Sequence, residues 1–423
     1  MKIAIIGSGI SGLTAAHYLR ERHDITVFEA NAYIGGHTNT LDVELDCERH
    51  RIDTGFIVFN DWTYPNFIRL LDEIGVPSQP TDMSFSVRCD LTGLEYNGSN
   101  LNGLFAQRRN LLRPRFYLML RDILRFNRES LALLESDNEE LTIGEYLREA
   151  KYSREFVDHY LFPMGSAIWS CPPDTFSQFP IRFVVEFYRN HGLLSVTKRP
   201  VWRVIQNGSR TYVEALTRPF RDRIILNCPV QSVRRTPEGI EVHSATRGYE
   251  QFEHVVFACH SDQALQLLAD PTATESELLG AFPYEANTAV LHTDSSVLPR
   301  RRRAWAAWNY HIQSAASDKA TVTYNMNILQ GLRSQNVFCV TLNGADHIKP
   351  QRIIQQIAYH HPIYTTRRAA AQRRHNELID ANDTSFCGAY WGNGFHEDGV
   401  NSALAVCQLL NARPCTVALP SET

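Results

Sequence analysis

The amino terminus of the chain combines residue types that could hold a phosphate group. Gly7-Ser8-Gly9-Ile10-Ser11-Gly12 has the spacing G-x-G-x-x-G. In this spacing the first glycine permits a tight turn, the second lets a pyrophosphate approach the backbone, and the third lets a helix pack closely on a strand. Glu29 follows about 20 residues later and is suited to accept hydrogen bonds from ribose hydroxyls. These residues predict a dinucleotide site.

The elements needed to position such a loop occur in the required order. Residues 3–6 form a short apolar run typical of a buried parallel strand, and residues 13–22 have the apolar spacing of a helix. A second apolar run, residues 25–28, ends at Glu29. The free N–H groups at the N-terminus of this helix, which is also the positive end of the helix dipole, would bind a phosphate group. The order of the elements disfavours the alternative, a glycine turn that binds nothing.

A second glycine pair follows the acidic residue. Ala30 is followed, after four residues, by Gly35-Gly36-His37-Thr38. With the first loop, this pattern resembles the flavoprotein superfamily of flavin-containing amine oxidases, protoporphyrinogen oxidases and carotenoid desaturases. The resemblance implies noncovalently bound FAD rather than NAD. The family usually has a phosphate-binding arginine where this chain has His37, which implies that the contact is weaker, depends on pH, or comes from another group.

The resemblance extends to three later segments, which imply further FAD contacts. Gly55-Phe56-Ile57 matches a segment whose backbone passes the flavin, and Val230 matches a valine whose backbone meets adenine. The final motif of the family places a helix N-terminus beneath the flavin, where the dipole would stabilise negative charge. The matching residues of this chain are Gly388, Gly394, Phe395, Glu397 and Val400, with Ala389 in place of an acid and Asp398 in place of a glycine. The motif also implies that His396 lies near the isoalloxazine.

The resemblance implies an α/β fold with two domains. We expect a Rossmann-like FAD-binding domain built from residues 1–80, 198–262 and 380–423. Residues 81–197 and 263–379 would form a discontinuous α+β substrate domain, as in amine oxidase-like two-domain flavoproteins. Apolar segments at residues 289–293, 321–325 and 338–342 predict an antiparallel sheet over the flavin, and residues 116–134 predict one long helix.

Composition excludes several classes of function. The formal net charge is −4, which argues against a nucleic-acid partner. The 9 cysteines lack C-x-x-C or metal-ligand spacing, which argues against a metal site and a disulfide framework. A first strand so near residue 1 leaves no room for a secretory signal, so we expect a cytoplasmic protein. Peripheral contact with the inner membrane stays open because residues 108–128 and 300–303 are basic, although a solvated surface is the favoured interpretation.

The chain has one G-x-G-x-x-G, so we expect an apolar substrate itself to give a hydride to the flavin. Residues 286–292 lack the lysine that amine oxidases usually carry near the flavin. Residues 258–265, 289–294 and 324–327 resemble more closely a bacterial group of amine-oxidase-like proteins associated with methyltransferases of the cyclopropane-fatty-acid synthase type. That resemblance implies desaturation of a methylated fatty acyl chain.

The candidate catalytic residues are His396, Tyr324 and His311, each of which could take a proton. His260, at the end of an apolar run, is interpreted as a structural histidine. Two other functions remain open. One is an amine or amino-acid oxidase, and the other is a flavin-binding scaffold without turnover. The electron acceptor and the oligomeric state are not predicted.

Overall fold

The computed structural model describes residues 1–135, 138, 140–313, 321–363, 365 and 367–412. The strands of these residues are β1 (Lys2–Ile6), β2 (Asp24–Phe28), β3 (Thr40–Leu45), β4 (Glu48–Asp53), β5 (Phe59–Asn60), β6 (Ser78–Pro80), β7 (Phe85–Cys89), β8 (Leu94–Asn97), β9 (Trp202–Ile205), β10 (Ile224–Ile225), β11 (Val230–Thr236), β12 (Gly239–Ser244), β13 (Gly248–Phe252), β14 (His254–Phe257), β15 (Tyr284–His292), β16 (Trp308–Ile312), β17 (Val322–Asn325), β18 (Cys339–Leu342), β19 (Ile353–Pro362) and β20 (Thr384–Phe386).

The α-helices of the same residues are α1 (Ile10–Leu19), α2 (Pro65–Glu73), α3 (Leu101–Leu104), α4 (Pro114–Glu129), α5 (Ile143–Glu149), α6 (Arg154–Phe156), α7 (Phe162–Trp169), α8 (Pro173–Ser177), α9 (Ile181–Asn190), α10 (Arg210–Thr217), α11 (Ser261–Leu267), α12 (Ala273–Leu279), α13 (Met326–Leu329), α14 (Arg367–Arg373) and α15 (His396–Ala412). None of the helices in this part of the chain is long and apolar enough to cross a membrane.

A five-stranded parallel sheet organises the two ends of the chain. Its order is β10-β2-β1-β14-β20, so the first strands pair with strands from the middle and the last strand lies beside β14. One face packs against α1, α10 and α15, and the other against the three-stranded sheet β11-β12-β13. The strands read as continuous apolar runs because helices and a second sheet cover both faces. The predicted α/β fold class is confirmed.

A seven-stranded sheet has the order β19-β15-β18-β17-β16-β7-β8. It contains the strands predicted from residues 289–293, 321–325 and 338–342, and the expected antiparallel pairing of these strands is confirmed. Strand β16 runs parallel to β7, with Tyr310 opposite Val87, while the other pairs are antiparallel. A parallel pair needs a long crossover connection, and here the chain between the two strands supplies it.

Residues 41–52 form a hairpin of β3 and β4, which turns at Asp46 and Cys47 with φ of 50° and 65°. One local expectation differs from the structure. The long helix expected over residues 116–134 ends earlier, because α4 stops at Glu129 and a 3-10 turn continues to Glu135. The proposed domain boundaries stay a prediction, and their last residues, 413–423, lie outside the described part.

Candidate active site

One large cavity, of about 1240 Å³, lies between the two main sheets. Its wall brings together segments far apart in sequence. The predicted cofactor residues that line it are Gly7, Ser8, Gly9, Ile10, Ser11, Glu29, Ala30, Gly35, Gly36, His37, Gly55, Phe56, Ile57, Val230, Gly388, Phe395 and His396. Gly12, Thr38 and Val400 do not line it. All three are buried.

The glycine loop has the geometry that a phosphate site requires. Gly7 has φ of +106°, and an added Cβ would lie 2.9 Å from the carbonyl oxygen of Ala258. A Cβ on Gly12 would lie 2.0 Å from the oxygen of Gly7, so Gly12 lets α1 sit against the strand. A Cβ on Gly9 would meet nothing within 4 Å. Gly9 therefore presents bare backbone to the open cavity, next to the N-terminus of α1.

The second glycine pair touches the first loop. Gly36 has φ of +58°, and an added Cβ would lie 3.1 Å from the Cα of Gly9. The loop that contains Gly55 packs against the second glycine pair, since a Cβ on Gly55 would lie 2.1 Å from the carbonyl oxygen of His37. Three backbone segments thus converge on one end of the cavity. A dinucleotide pyrophosphate fits this cradle because no side chain of the three glycines fills it.

Glu29 stands at the end of β2 with both carboxylate oxygens bonded. One oxygen accepts hydrogen bonds from the backbone N–H of Ser8 at 3.0 Å and from its hydroxyl at 2.5 Å. The other accepts from the backbone and side-chain nitrogens of Asn31, each at 2.8 Å. These bonds fix the carboxylate at the cavity wall, while its contact with a ribose stays a prediction.

His396 opens α15 and is held by a buried network. Its Nε2 lies 2.9 Å from the hydroxyl of Thr38 and 3.1 Å from that of Tyr212, and its ring stacks on Phe56 with centroids 3.5 Å apart. Burial, followed by the nearby His37, lowers the pKa of His396 well below its usual value. The imidazole is neutral at pH 7. Its contacts with Thr38 and Phe56 bring together three segments that the sequence predicts beside the flavin.

The other two candidate catalytic residues lie in different places. Tyr324, on β17, lines the cavity beside Trp308, with ring centroids 5.0 Å apart. Burial raises the pKa of Tyr324, so its hydroxyl is protonated at neutral pH. His311 is absent from the cavity wall, and its Nε2 lies 2.8 Å from a carboxylate oxygen of Asp90. His311 therefore contacts a carboxylate outside the cavity wall, and burial lowers its pKa.

Glu397, the second residue of α15, ties the C-terminal helix to α2. Its two carboxylate oxygens accept hydrogen bonds from the backbone N–H groups of Asn66 at 3.0 Å and Phe67 at 2.8 Å. These donors belong to the first turn of α2, whose N–H groups have no partner within the helix. The side chain of Glu397 is 6% exposed. A residue of the resembled C-terminal motif therefore caps a helix of the first segment of the chain.

We expect Glu397→Gln to lower the free energy of unfolding by about 2 kcal/mol, because an amide offers one acceptor where the carboxylate offers two and removes the charge at a helix N-terminus. Denaturant unfolding of the variant measures the change. The exposed pair of Glu44 with Arg49 provides the control, since Glu44→Gln should leave the unfolding midpoint nearly unchanged. Equal midpoints for Glu397→Gln and the natural protein would show that the cap contributes nothing.

Several wall residues were not predicted. His360 and His361 end β19, which was not predicted as a strand, and Tyr359 of the same strand stacks on His37 with centroids 4.9 Å apart. His260 lines the same wall, although the sequence favoured a structural interpretation. The adjacent histidines before Pro362 were the available signal. Only the pairing of β19 with β15 places them at the cavity.

The parallel sheet, the glycine cradle and the large adjoining cavity define a dinucleotide-binding α/β protein. The model of the family described as flavin containing amine oxidoreductase matches residues 10–302, more than half of the chain. The protein therefore belongs to this family and is an FAD-dependent enzyme. The predicted superfamily and the predicted cofactor are confirmed.

Solved structures with the same fold span nearly the whole chain. Cyclohexylamine oxidase from Brevibacterium oxydans is 17% identical with a TM-score of 0.66, over 97% of this chain and 99% of that one. A putrescine oxidase variant is 13% identical with a TM-score of 0.68, over 98% and 99%. A fatty acid isomerase from P. acnes that produces CLA is 13% identical with a TM-score of 0.65, over 97% of each chain. A search of curated proteins gives no significant match. Identities this low establish the fold alone.

Proposed function

We propose that the protein is an FAD-dependent desaturase that removes a hydride and a proton from a fatty acyl chain, with methylated chains as its substrates. The observation that carries the proposal is the apolar wall of the cavity beyond the cofactor cradle. This wall comes from the helical region, and its members include Leu120, Ile123, Tyr160, Met164 and Ile168. An acyl chain would gain about 0.8 kcal/mol for each methylene buried there.

The polar groups of the cavity also favour an acyl chain over a small amine. Among the described lining residues Arg199 is the single lysine or arginine, and the acidic residues are Glu29 and Asp82. Glu29 already accepts four hydrogen bonds at the cradle. Arg199 is exposed, and its charge acts on Tyr160 of the apolar wall, so it suits the anionic end of a lipid.

Helix α4 connects this wall with the protein surface. Leu120 and Ile123 face the cavity, while Leu112, Tyr117 and Leu118 near its start are exposed at 88%, 46% and 37%. Nearby arginines carry positive charge, although Arg121 and Arg128 pair with neighbouring carboxylates. Exposed apolar groups beside basic ones suit peripheral contact with an anionic bilayer, from which an acyl chain would enter.

The proposed step takes a hydride from one carbon and a proton from its neighbour, which leaves a double bond. FAD, when bound, supplies the two-electron acceptor, and oxygen or another carrier must afterwards remove the electrons. Burial makes an imidazolium at His396 costly, so we assign that residue to positioning. The hydroxyl of Tyr324 can relay the proton towards solvent, because a hydroxyl both accepts and donates.

Anaerobic reduction of the flavin tests the substrate class. The holoenzyme is mixed with vesicles of methylated, unsaturated phospholipids, and separately with polyamines and amino acids, while the flavin absorbance is followed. Bleaching by the lipids supports desaturation. Bleaching by amines alone overturns it.

We also expect Ile123→Asp to raise the KM for acyl substrates at least about tenfold, because a carboxylate in the apolar wall must be desolvated. Substrates dispersed in detergent exclude any effect of membrane contact. The matched control is Leu124→Asp on the same helix, since Leu124 is 60% exposed and does not line the cavity. Similar KM values for the two variants would contradict an acyl site at this wall.

An amine oxidase is the second candidate. The edge-to-face pair of Trp308 and Tyr324 lies at the cavity wall, and aromatic faces attract ammonium groups. The fold shared with amine oxidases is compatible with this function. Among the described lining residues there is no lysine, the residue that amine oxidases usually carry near the flavin.

A further inference from the structure

A group of histidines lines one side of the cavity. His37 follows the second glycine pair, His260 follows β14, and His360 and His361 end β19. The ring of His37 has its centroid 5.4 Å from that of His361 and 6.0 Å from that of His260, and His260 lies 6.4 Å from His360. Three separate segments of the chain therefore bring their imidazoles to one place, here called the histidine cluster.

The histidine cluster borders the cradle for the phosphates. His37 is adjacent to Gly36, which approaches the Cα of Gly9 so closely that an added Cβ would lie 3.1 Å away. Its carbonyl group is also the neighbour of Gly55. A pyrophosphate held by the glycine loop would therefore lie beside His37, whose ring lies near those of His260 and His361.

Among the described residues, no lysine or arginine lines the part of the cavity wall next to the glycine loop. Arg199 belongs to the segment beside Gly192, where an added Cβ would lie 3.3 Å from the Cα of Arg199 and 3.2 Å from the ring of Trp62. A pyrophosphate diester carries two negative charges, and proteins usually place arginine, lysine or helix N-termini against them. Here His37 stands at the position where the resembled family has arginine.

The rings are neutral before any anion arrives. Burial, and then the neighbouring histidines, lowers the pKa of His37 and of His260 to about 4 and that of His361 to about 3. A hydrogen bond with the backbone of His360 opposes the shift at His37. Two tyrosines also face the cluster: Tyr359 stacks on His37, and Tyr284 stacks on His260 with centroids 4.4 Å apart. The other titratable groups at the same wall are Glu29, Cys259 and His396.

Two ring nitrogens of the cluster lack hydrogen-bond partners. Nε2 of His37 and Nδ1 of His361 are buried from solvent and are not bonded within the described residues. A buried polar atom without a partner is costly, which points to a ligand that completes it. The cluster is not arranged for a metal, since the described residues contain no group of three or more ligating side chains that could hold one.

We propose that His37, supported by His260 and His361, binds the FAD pyrophosphate in place of an arginine and takes up a proton from solvent when the cofactor binds. The two phosphate charges stabilise an imidazolium that burial among the other rings disfavours. Binding and protonation are therefore linked, and FAD affinity falls as the pH rises. Below about pH 4 the free ring of His37 is already charged, so the dependence ends there. The proposal depends on the FAD site and not on the identity of the substrate.

Titration of the apoprotein with FAD at pH 6, 7 and 8, followed by flavin fluorescence, tests this linkage. Uptake of one proton predicts that the dissociation constant rises by up to about tenfold for each pH unit. Calorimetry in two buffers of different ionisation enthalpy counts the protons directly. A dissociation constant independent of pH, with no proton taken up, overturns the proposal.

Two substitutions separate charge from hydrogen bonding. His37→Arg supplies a permanent charge, so we expect FAD affinity nearly independent of pH and a proton uptake near zero. His37→Gln supplies a hydrogen bond without charge, so we expect at least about tenfold weaker binding at pH 6. His243→Gln is the control, because that ring stacks on Tyr249 in the outer sheet away from the cavity. A His37→Gln protein that keeps the natural pH dependence contradicts the assignment, and the titration of the natural protein stands even if a variant does not fold.

Discussion

Gly9→Val is expected to give a folded protein that purifies without FAD and has no oxidoreductase activity. The position is free of neighbours in the protein, since an added Cβ meets nothing within 4 Å, so the fold tolerates the side chain. The same free space is the approach of the pyrophosphate to the backbone. We expect FAD affinity to fall at least about a hundredfold, which corresponds to roughly 2.7 kcal/mol. Flavin absorbance, FAD titration and thermal unfolding of the variant measure the three parts of this prediction.

Gly12→Val should behave differently. Its Cβ would lie 2.0 Å from the carbonyl oxygen of Gly7, so the substitution forces α1 away from the sheet and destabilises the fold itself. The control is Gly144→Ala on α5, where an added Cβ would lie 3.4 Å from the carbonyl oxygen of Ser177, an ordinary contact. This variant should keep both its stability and its bound FAD. A yellow, active Gly9→Val protein would show that the phosphates lie elsewhere.

The apoprotein is expected to lose stability sharply as the pH falls from 6.5 towards 4. Burial is the main cause that lowers the pKa of each of His17, His191, His292 and His375 to about 4. Because the unfolded chain binds more protons in this window, each such histidine lowers the free energy of unfolding by about 1.4 kcal/mol for every pH unit. The histidine cluster adds to the same effect.

Two buried carboxyls oppose this trend. Burial raises the pKa of Asp53 and of Asp398 to about 6, so their folded forms bind protons more strongly and gain stability as the pH falls from 6 to about 4. The histidines outnumber them, and we expect the midpoint of thermal unfolding to be lower at pH 5 than at pH 7 by roughly 10 °C.

Substitution of one buried histidine tests this explanation of the pH dependence of stability. His375 lies with Nε2 2.7 Å from the carbonyl oxygen of Phe386, and its ring stacks on Trp391. His375→Gln should reduce the loss of stability between pH 7 and 5, whereas the same change at the exposed His347 should not. A midpoint that does not fall with pH in the natural apoprotein would refute the argument.

Local features were predicted well from sequence, and features made by distant pairings were not. The cradle of Gly7, Gly9 and Gly12 depends on a strand, a turn and a helix adjacent in sequence, so spacing alone indicates it. The parallel pairing of β16 with β7 has no local signal, because the two strands become neighbours only when the second sheet assembles. His311 shows the same limit, since the strand pairing places it against Asp90 rather than at the cavity.

The order of strands in the parallel sheet constrains the biosynthesis of this protein. Strand β1 acquires one neighbour, β2, soon after leaving the ribosome, but its other neighbour, β14, is translated much later. Helix α15, which covers α1 and caps α2 through Glu397, is translated last among the described helices. An amino-terminal fragment therefore exposes an open sheet edge and an uncovered helix throughout translation. That open edge and that uncovered helix are the surfaces through which an incomplete chain can associate with another.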